Sequence, residues 1–438
     1  MADKGKRVAV VGGGWAGCAA AVELAGAGCA VTLFEAARTL GGRARAVELH
    51  GRMLDNGQHI LLGAYNDTLR LLNRVGVDPK SALLNLPLQM RYPPASGGMD
   101  FVAPRIPAPW HMAVALLRAK GLAFADKMAL ARFSSTARWM GWQLNVDCSV
   151  SELLERFDQT PRLVQLMWRP LCLAALNTPP ERASASVFLA VLRDSLGAKR
   201  AASDMLLPRL DLHTLFPRAA ASFVEQHGGM VRCGAKVSAI SRHDGSWQVD
   251  ATGAAVGGAS SDSFDAVVLA VAPPAAAALV PALAQQLSAF DYEPITTCYL
   301  QYEEEVKLDL PFCALIDDPE AGHWGQFVFD RGQLDAGQAG LLSVVVSASL
   351  DAAALDQAVL AQAIAQQMTA VFGLANPQWT QVITEKRATF SCTPGLQRLP
   401  TQTGLPGLVL AGDYTTSDYP ATLETAVRSG VAAARALA

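Results

Sequence analysis

A short apolar run, Val8 to Val11, leads straight into Gly12, Gly14 and Gly17, and no other stretch restricts the possible folds as strongly. The first glycine permits a tight turn, the second lets backbone approach a pyrophosphate, and the third lets a helix close against a strand. The hydrophobic periodicity around them predicts a strand over 7–11, a helix over 16–27 and a second strand over 30–34, the opening of a doubly wound α/β sheet. Glu35 ends that second strand, 18 residues beyond Gly17. A carboxylate there accepts hydrogen bonds from a ribose diol and repels a 2′-phosphate. Trp15 and Ala16 at the start of the helix, and Ala36 beside the acid, belong to the same expected dinucleotide site.

The chain has 438 residues, of which 51% are hydrophobic and 17% charged, with a formal net charge of −3. That suits two or three globular domains and excludes a disordered chain or a disulfide-stapled miniature. It offers no basic face for nucleic acid. Eight cysteines occur without any CxxC and seven histidines without zinc-type spacing, so buried thiols and no metal site are expected. The run at 8–11 is too short for an export signal, and the apolar window 266–283 is broken by Pro273, Pro274 and Pro281. A cytoplasmic chain without a membrane span is expected.

Further along, a hairpin is expected from 86–92 and 99–102, followed by mainly helical sequence from 110 to 196. A helix over 215–229 precedes strands at 231–240, 246–251 and 265–271, read as completing the nucleotide-binding sheet, with 253–262 as a flexible turn. Strands at 296–302, 326–329 and 341–349 and a helix over 351–372 follow. The expected division is 1–78, 205–290 and 382–438 for a discontinuous first domain. Residues 79–204 and 291–381 form an inserted α+β substrate domain, a helical cap plus an antiparallel sheet.

Gly41, Gly42 and Arg43, which follow Leu40, resemble the GGR segment of flavin amine oxidases, phytoene desaturases and protoporphyrinogen oxidases. The resemblance implies an FAD-binding Rossmann-like domain of the glutathione reductase type; the expected FAD is non-covalent. The two glycines let the chain fold back over the cofactor, and Arg43 can lay its fork on phosphate or adenine. The stretch Leu408 to Tyr414, with Tyr419 to Gly430, is similar to the C-terminal FAD motif of the same superfamily. That similarity places Gly412, Asp413, Thr422 and Leu423 at the cofactor, gives Asp413 the ribityl chain, and puts Pro420 in the first turn of a helix facing the pyrimidine edge. It also brings the Val237 backbone to adenine. No second glycine fingerprint follows a strand, so no stable NADPH domain is expected and the electron donor is external, with NADPH a candidate.

Asp55 to Tyr65 more narrowly resembles the squalene-associated FAD-dependent desaturases, also called hydroxysqualene dehydroxylases. Trp168 to Pro180, Lys386 to Phe390 and Pro420 to Glu424 agree. The resemblance implies reduction of hydroxysqualene, an allylic C30 alcohol, to squalene in bacterial hopanoid or triterpenoid synthesis. It sets Gly57, Gln58 and His59 beside the flavin. His59 is the first candidate for the acid, against a structural histidine bonding backbone or cofactor. Tyr414 and Glu424 are lesser candidates, and Glu424 also reads as a helix first-turn carboxylate. Trp110, Phe124, Phe133, Trp139, Trp142 and Trp168 fit either the wall of a polyprenyl tunnel or plain core packing. Residues 104–117, with Arg118 and Lys120, fit a membrane surface or a buried cap helix. Expected partners are the triterpene substrate, squalene-synthase-like enzymes of the same route and the inner face of the cell membrane. Two alternatives stay open here. One is an oxidative carotenoid desaturase or amine oxidase, with Cys392 either a covalent flavin anchor or a buried thiol. The other is a non-catalytic flavoprotein scaffold for prenyl synthases.

Overall fold

Arg7–Val11 is buried from Val8 onward because its residues are apolar on both faces, as the centre of a parallel sheet requires. In this computed structural model, which describes residues 5–437, it lies between Ala30–Glu35 and Ala266–Leu269. Residues 1–4 and 438, part of the expected first domain, lie outside the described residues. Met230–Cys233 and Leu408–Leu410 extend the sheet at either side, all strands parallel. Their order is third, second, first, fourth, fifth by position in the chain. Helix Trp15–Gly26 covers one face and packs against Leu423–Leu437 and Pro217–Gln226. A Cβ at Gly430 would lie 2.1 Å from the Ala16 carbonyl oxygen, so glycine sets how closely the last helix approaches the first.

The expected strand 231–240 is two strands. After Met230–Cys233 the chain turns at Gly234, φ +74°, and Lys236–His243 pairs instead with Ser246–Gly253, which in turn pairs with Gly258–Phe264, in a separate antiparallel meander. The stretch at 246–251 therefore does not complete the parallel sheet. Nor is 253–262 a flexible turn throughout: a single turn at Ala254–Val256 closes into the strand Gly258–Phe264, where ladder hydrogen bonds hold small residues that show no hydrophobic alternation.

In the second sheet Tyr292–Gln301 lies between Leu341–Ser347 and Trp379–Phe390, with Phe327–Asp330 and Phe312–Ala314 beyond, all antiparallel. The pairing continues until Tyr292 faces Phe390, so the expected boundary at 382 falls inside a strand and the chain leaves this sheet after Phe390. The hairpin is confined to Gln89–Arg91 and Asp100–Val102. Leu83–Leu86 pairs with Met205–Pro208, which ties 83–86 to a segment assigned to the first domain.

Between 110 and 195 the chain runs through helices Trp110–Arg118, Phe124–Trp139, Val150–Arg156, Arg169–Leu176 and Ala185–Ser195, where a helical cap was expected. Phe133 and Trp168 pack ring to ring at 4.7 Å in its core, with Phe188 beside them. Trp142 is half-buried, and Trp110, Phe124 and Trp139 are exposed, so these six aromatics do not line one tunnel. Among the described residues no helix is long and apolar enough to cross a membrane.

Candidate active site

Gly12, with φ +105° and its amide bonded to Phe34 O at 2.8 Å, turns the first strand sharply into the helix. A Cβ at Gly17 would sit 1.9 Å from Gly12 O, whereas at Gly14 it would meet nothing nearer than Gly42 Cα at 3.9 Å. One side of the turn is closed to any side chain and the other is open. Helix Trp15–Gly26 starts with no side-chain cap and no acidic residue in its first turn, leaving its leading amides for an anion. The Trp15 indole turns inward to Ala44 O at 3.3 Å, and Ala16 is buried, so Trp15, Ala16 and Gly17 offer main chain there.

Glu35 accepts from the amides of Gly13 and Ala37, both at 2.7 Å. Exposed Ala36 lies between its strand and that bend. Ala235 N donates to Glu35 O at 2.9 Å, which brings half-buried Val237 near the same end of the turn. Gly41 N donates to Gly13 O at 2.8 Å, so the Gly41–Gly42 bend folds over the glycine turn.

Arg43 departs from expectation. Its Nη2 reaches both carboxylate oxygens of Asp413 at 2.7 Å, and Nη1 donates to Ala388 O at 2.7 Å. A buried carboxylate is the strongest available partner for a guanidinium, so the fork lies on Asp413 and not at the adenine end. Asp413 in turn has a protein cation beside whatever it accepts from a ligand. Gly412 beside it is fixed by Ser429 Oγ at 2.8 Å.

Arg43, Asp413 and Tyr414 line a cavity of about 190 Å³ with Pro273, Tyr292, Glu385, Arg387 and Phe390. Tyr414 is 2% exposed, its hydroxyl has no partner, and its ring meets Phe290 edge-on at 6.1 Å. Burial, with Asp413 alongside, pushes its phenol far above the ordinary range, so it keeps its proton. Tyr292 is pushed up by burial too, and its hydroxyl is also unpartnered.

His59 Nδ1 lies 2.9 Å from Gly57 O. A carbonyl only accepts, so Nδ1 carries the proton in the neutral ring and Nε2 is left as a lone pair. Burial lowers the pKa of His59, and nearby Arg43 opposes its protonation. Gln58 Oε1 accepts from Arg331 Nη1 at 3.0 Å and Ser343 Oγ at 3.3 Å, which orients the amide and leaves buried Nε2 without a partner. Thr297 Oγ1, close to Gly57, is likewise unpartnered.

Two expectations at the last helix change. Pro420 precedes Leu423–Leu437 and is not in its first turn; Thr422 Oγ1 accepts from Thr425 N at 3.1 Å and caps it. Glu424 is 4% exposed and fully engaged, accepting from Thr68 N at 2.9 Å, Thr68 Oγ1 at 2.7 Å, Asp67 N at 3.1 Å and Arg428 Nε at 2.8 Å. It holds the N-terminus of helix Asn66–Arg74 and is a structural carboxylate, not a catalytic one. Cys392 is a buried thiol, pushed up to about 12 by burial, and does not line the cavity.

Sequence reasoning missed Tyr292 and Arg331. Tyr292 reaches the cavity only because its strand pairs with one far along the chain, and nothing local marks it. Phe390 had a hint, as the last residue of the stretch from Lys386. Arg331 is 2% exposed, where an arginine would ordinarily be solvated.

The residues present suit FAD. The open face at Gly14, the uncapped amides, Glu35 at its strand end and the unpartnered polar atoms of Gln58, Thr297 and Tyr414 are the cradle and donors such a cofactor uses.

Comparison with known proteins agrees with the class this fold and site define: the chain belongs to the flavin containing amine oxidoreductase family, which matches residues 15–438. It is 30% identical to the hydroxysqualene dehydroxylase of Rhodopseudomonas palustris over 98% of this chain and 97% of that one. The hydroxysqualene dehydroxylase of Sinorhizobium fredii is 28% identical over 98% and 97%. The fold matches a putative protoporphyrinogen oxidase from Exiguobacterium, with TM-score 0.69 and 18% identity over 99% and 98% of the two chains.

Proposed function

We propose that this protein is an FAD-dependent reductive dehydroxylase that converts hydroxysqualene to squalene in hopanoid or triterpenoid synthesis. The observation that carries the reading is full-length similarity to two proteins of that name, at 28% and 30% identity. Reduced FAD, when bound, would supply the hydride, and the departing hydroxyl would leave as water. Gly12, Gly14 and Gly17 with the leading amides of the first helix bind its pyrophosphate, and Glu35 its ribose. Val237 lies by the adenine, and Arg43 holds Asp413 for the ribityl chain.

The departing hydroxyl needs a donor in a dry setting. Tyr414 fills that role, because its phenol is protonated, buried and free of protein partners. Neutral His59 presents Nε2 as an acceptor, so it orients the substrate hydroxyl and becomes an acid only when protonated. Gln58 Nε2, locked by Arg331, supplies a fixed donor. FAD is held non-covalently in this reading, because the one cysteine considered as an anchor is a buried thiol outside the cavity lining. NADPH is the external donor, squalene-synthase-like enzymes deliver the substrate, and the protein works on the cytoplasmic side.

The test is an anaerobic single turnover. Dithionite-reduced protein is mixed with hydroxysqualene in detergent, and flavin absorbance is followed while lipid is extracted. Reoxidation with squalene appearing in equal amount is expected. Flavin that stays reduced with no squalene formed, together with bleaching of the oxidised enzyme by a polyene or amine, would overturn the reading.

A further inference from the structure

Five large apolar side chains stand in solvent on two consecutive cap helices. Trp110 and Leu117 are 66% and 76% exposed on Trp110–Arg118, and Phe124, Met128 and Trp139 are 79%, 45% and 86% exposed on Phe124–Trp139. Helical spacing puts Trp110 and Leu117 on one stripe and Phe124, Met128 and Trp139 on another. Lys127 Nζ donates to Leu117 O at 2.9 Å and ties the end of the first helix to the start of the second. The opposite faces, His111 and Ala115 on one helix and Ala129, Phe133 and Ala137 on the other, are buried in the domain. The exposed stripes are thus outward faces and not a badly packed core.

Charge identifies what covers them. Between Arg105 and Arg138 the chain carries six arginines and lysines and one carboxylate, Asp126, although the whole protein is net negative. Asp126 is 4% exposed, and its oxygens accept from Ala123 N and Thr160 Oγ1, so it does not face outward to offset the cations. A second copy placed symmetrically on this face would set these cations against themselves. Apolar stripes edged by lysine and arginine, with no exposed carboxylate between Arg105 and Arg138, complement an anionic lipid surface.

We propose that these two helices dock on an anionic bilayer, with Trp110, Leu117, Phe124 and Trp139 entering the boundary between headgroups and acyl chains. Arg118, Lys120, Lys127 and Arg132 meet the lipid phosphates. This does not depend on which alcohol the enzyme reduces.

The full FAD-loaded chain is sedimented with vesicles of phosphatidylglycerol mixed with phosphatidylcholine, and with phosphatidylcholine alone. Binding to the mixture should be at least about tenfold tighter and weaken with salt. Tryptophan emission should shift to the blue and be quenched by acyl-brominated lipid, a readout that needs no variant. The triple variant Trp110→Ser, Leu117→Ser, Phe124→Ser should bind at least about tenfold more weakly with unchanged flavin content. The proposal is overturned by failure to bind the mixed vesicles, or by binding without bromolipid quenching. It is equally overturned by a wild-type dimer that the triple variant turns into a monomer, which would assign the face to a second copy.

Discussion

Asp413 has 8% of its side chain exposed, and Arg43, its cation, 38%. Removing one member of a buried pair strands the other charge, at a cost of roughly 3–5 kcal/mol when both are fully buried; the partial exposure of Arg43 brings this to about 2–3 kcal/mol here. Arg43→Met should therefore lower urea stability by that amount and release flavin on gel filtration. Tyr414→Phe removes a single unpartnered oxygen from the cavity wall, so fold and flavin content should persist while single-turnover squalene formation drops about 100-fold. An unchanged rate would remove Tyr414 from proton donation. Glu424→Ala tests the opposite assignment: losing the cap on Asn66–Arg74 should cost about 1–3 kcal/mol in urea unfolding and leave the single-turnover rate unaltered.

The glycine turn separates binding from folding. Gly14→Ala places a methyl in ordinary van der Waals contact with Gly42 Cα at 3.9 Å, so the apoprotein should keep its wild-type melting curve but take up FAD at least about tenfold more weakly in titration. Gly17→Ala drives a methyl into the Gly12 carbonyl and should fail at folding itself, read as loss of soluble protein. This unit was readable from the chain because every cause is local: apolar runs, glycine positions and an acid at fixed spacing. The cavity was less so. Its Tyr292 and Phe390 face each other only through strand pairing, and Arg43 turned from phosphate to Asp413 because a carboxylate 370 residues away in sequence arrives beside it. The split of 231–240 followed from one positive-φ glycine, Gly234, inside an otherwise strand-like run.

Asp55 accepts from Leu212 N at 2.8 Å with its side chain, while its carbonyl takes the hydroxyl of Tyr299 on the antiparallel sheet at 2.9 Å. Burial pushes its carboxyl up to about 6 against the pull of Arg331. The folded state therefore binds this proton more tightly than the unfolded one, so the associated stability is present at low pH and lost as pH rises through about 6. His59 runs the other way: its lowered pKa keeps stability above the ordinary histidine value and sheds it as pH falls. Asp55→Asn removes the first effect only. Between pH 7.5 and pH 5 wild type should gain about 1.5 kcal/mol relative to Asp55→Asn, measured by urea unfolding at each pH.

The contact between Arg43 and Asp413 also bears on how the molecule is made. Asp413 is synthesised 370 residues after Arg43, and the edge strand Leu408–Leu410 long after the central strand Arg7–Val11. During translation the emerging N-terminal half can form its glycine turn, but the wall that closes over it is still inside the ribosome. Cofactor loading therefore waits until the segment that carries Asp413 has emerged, and until then the glycine turn stands without its closing wall.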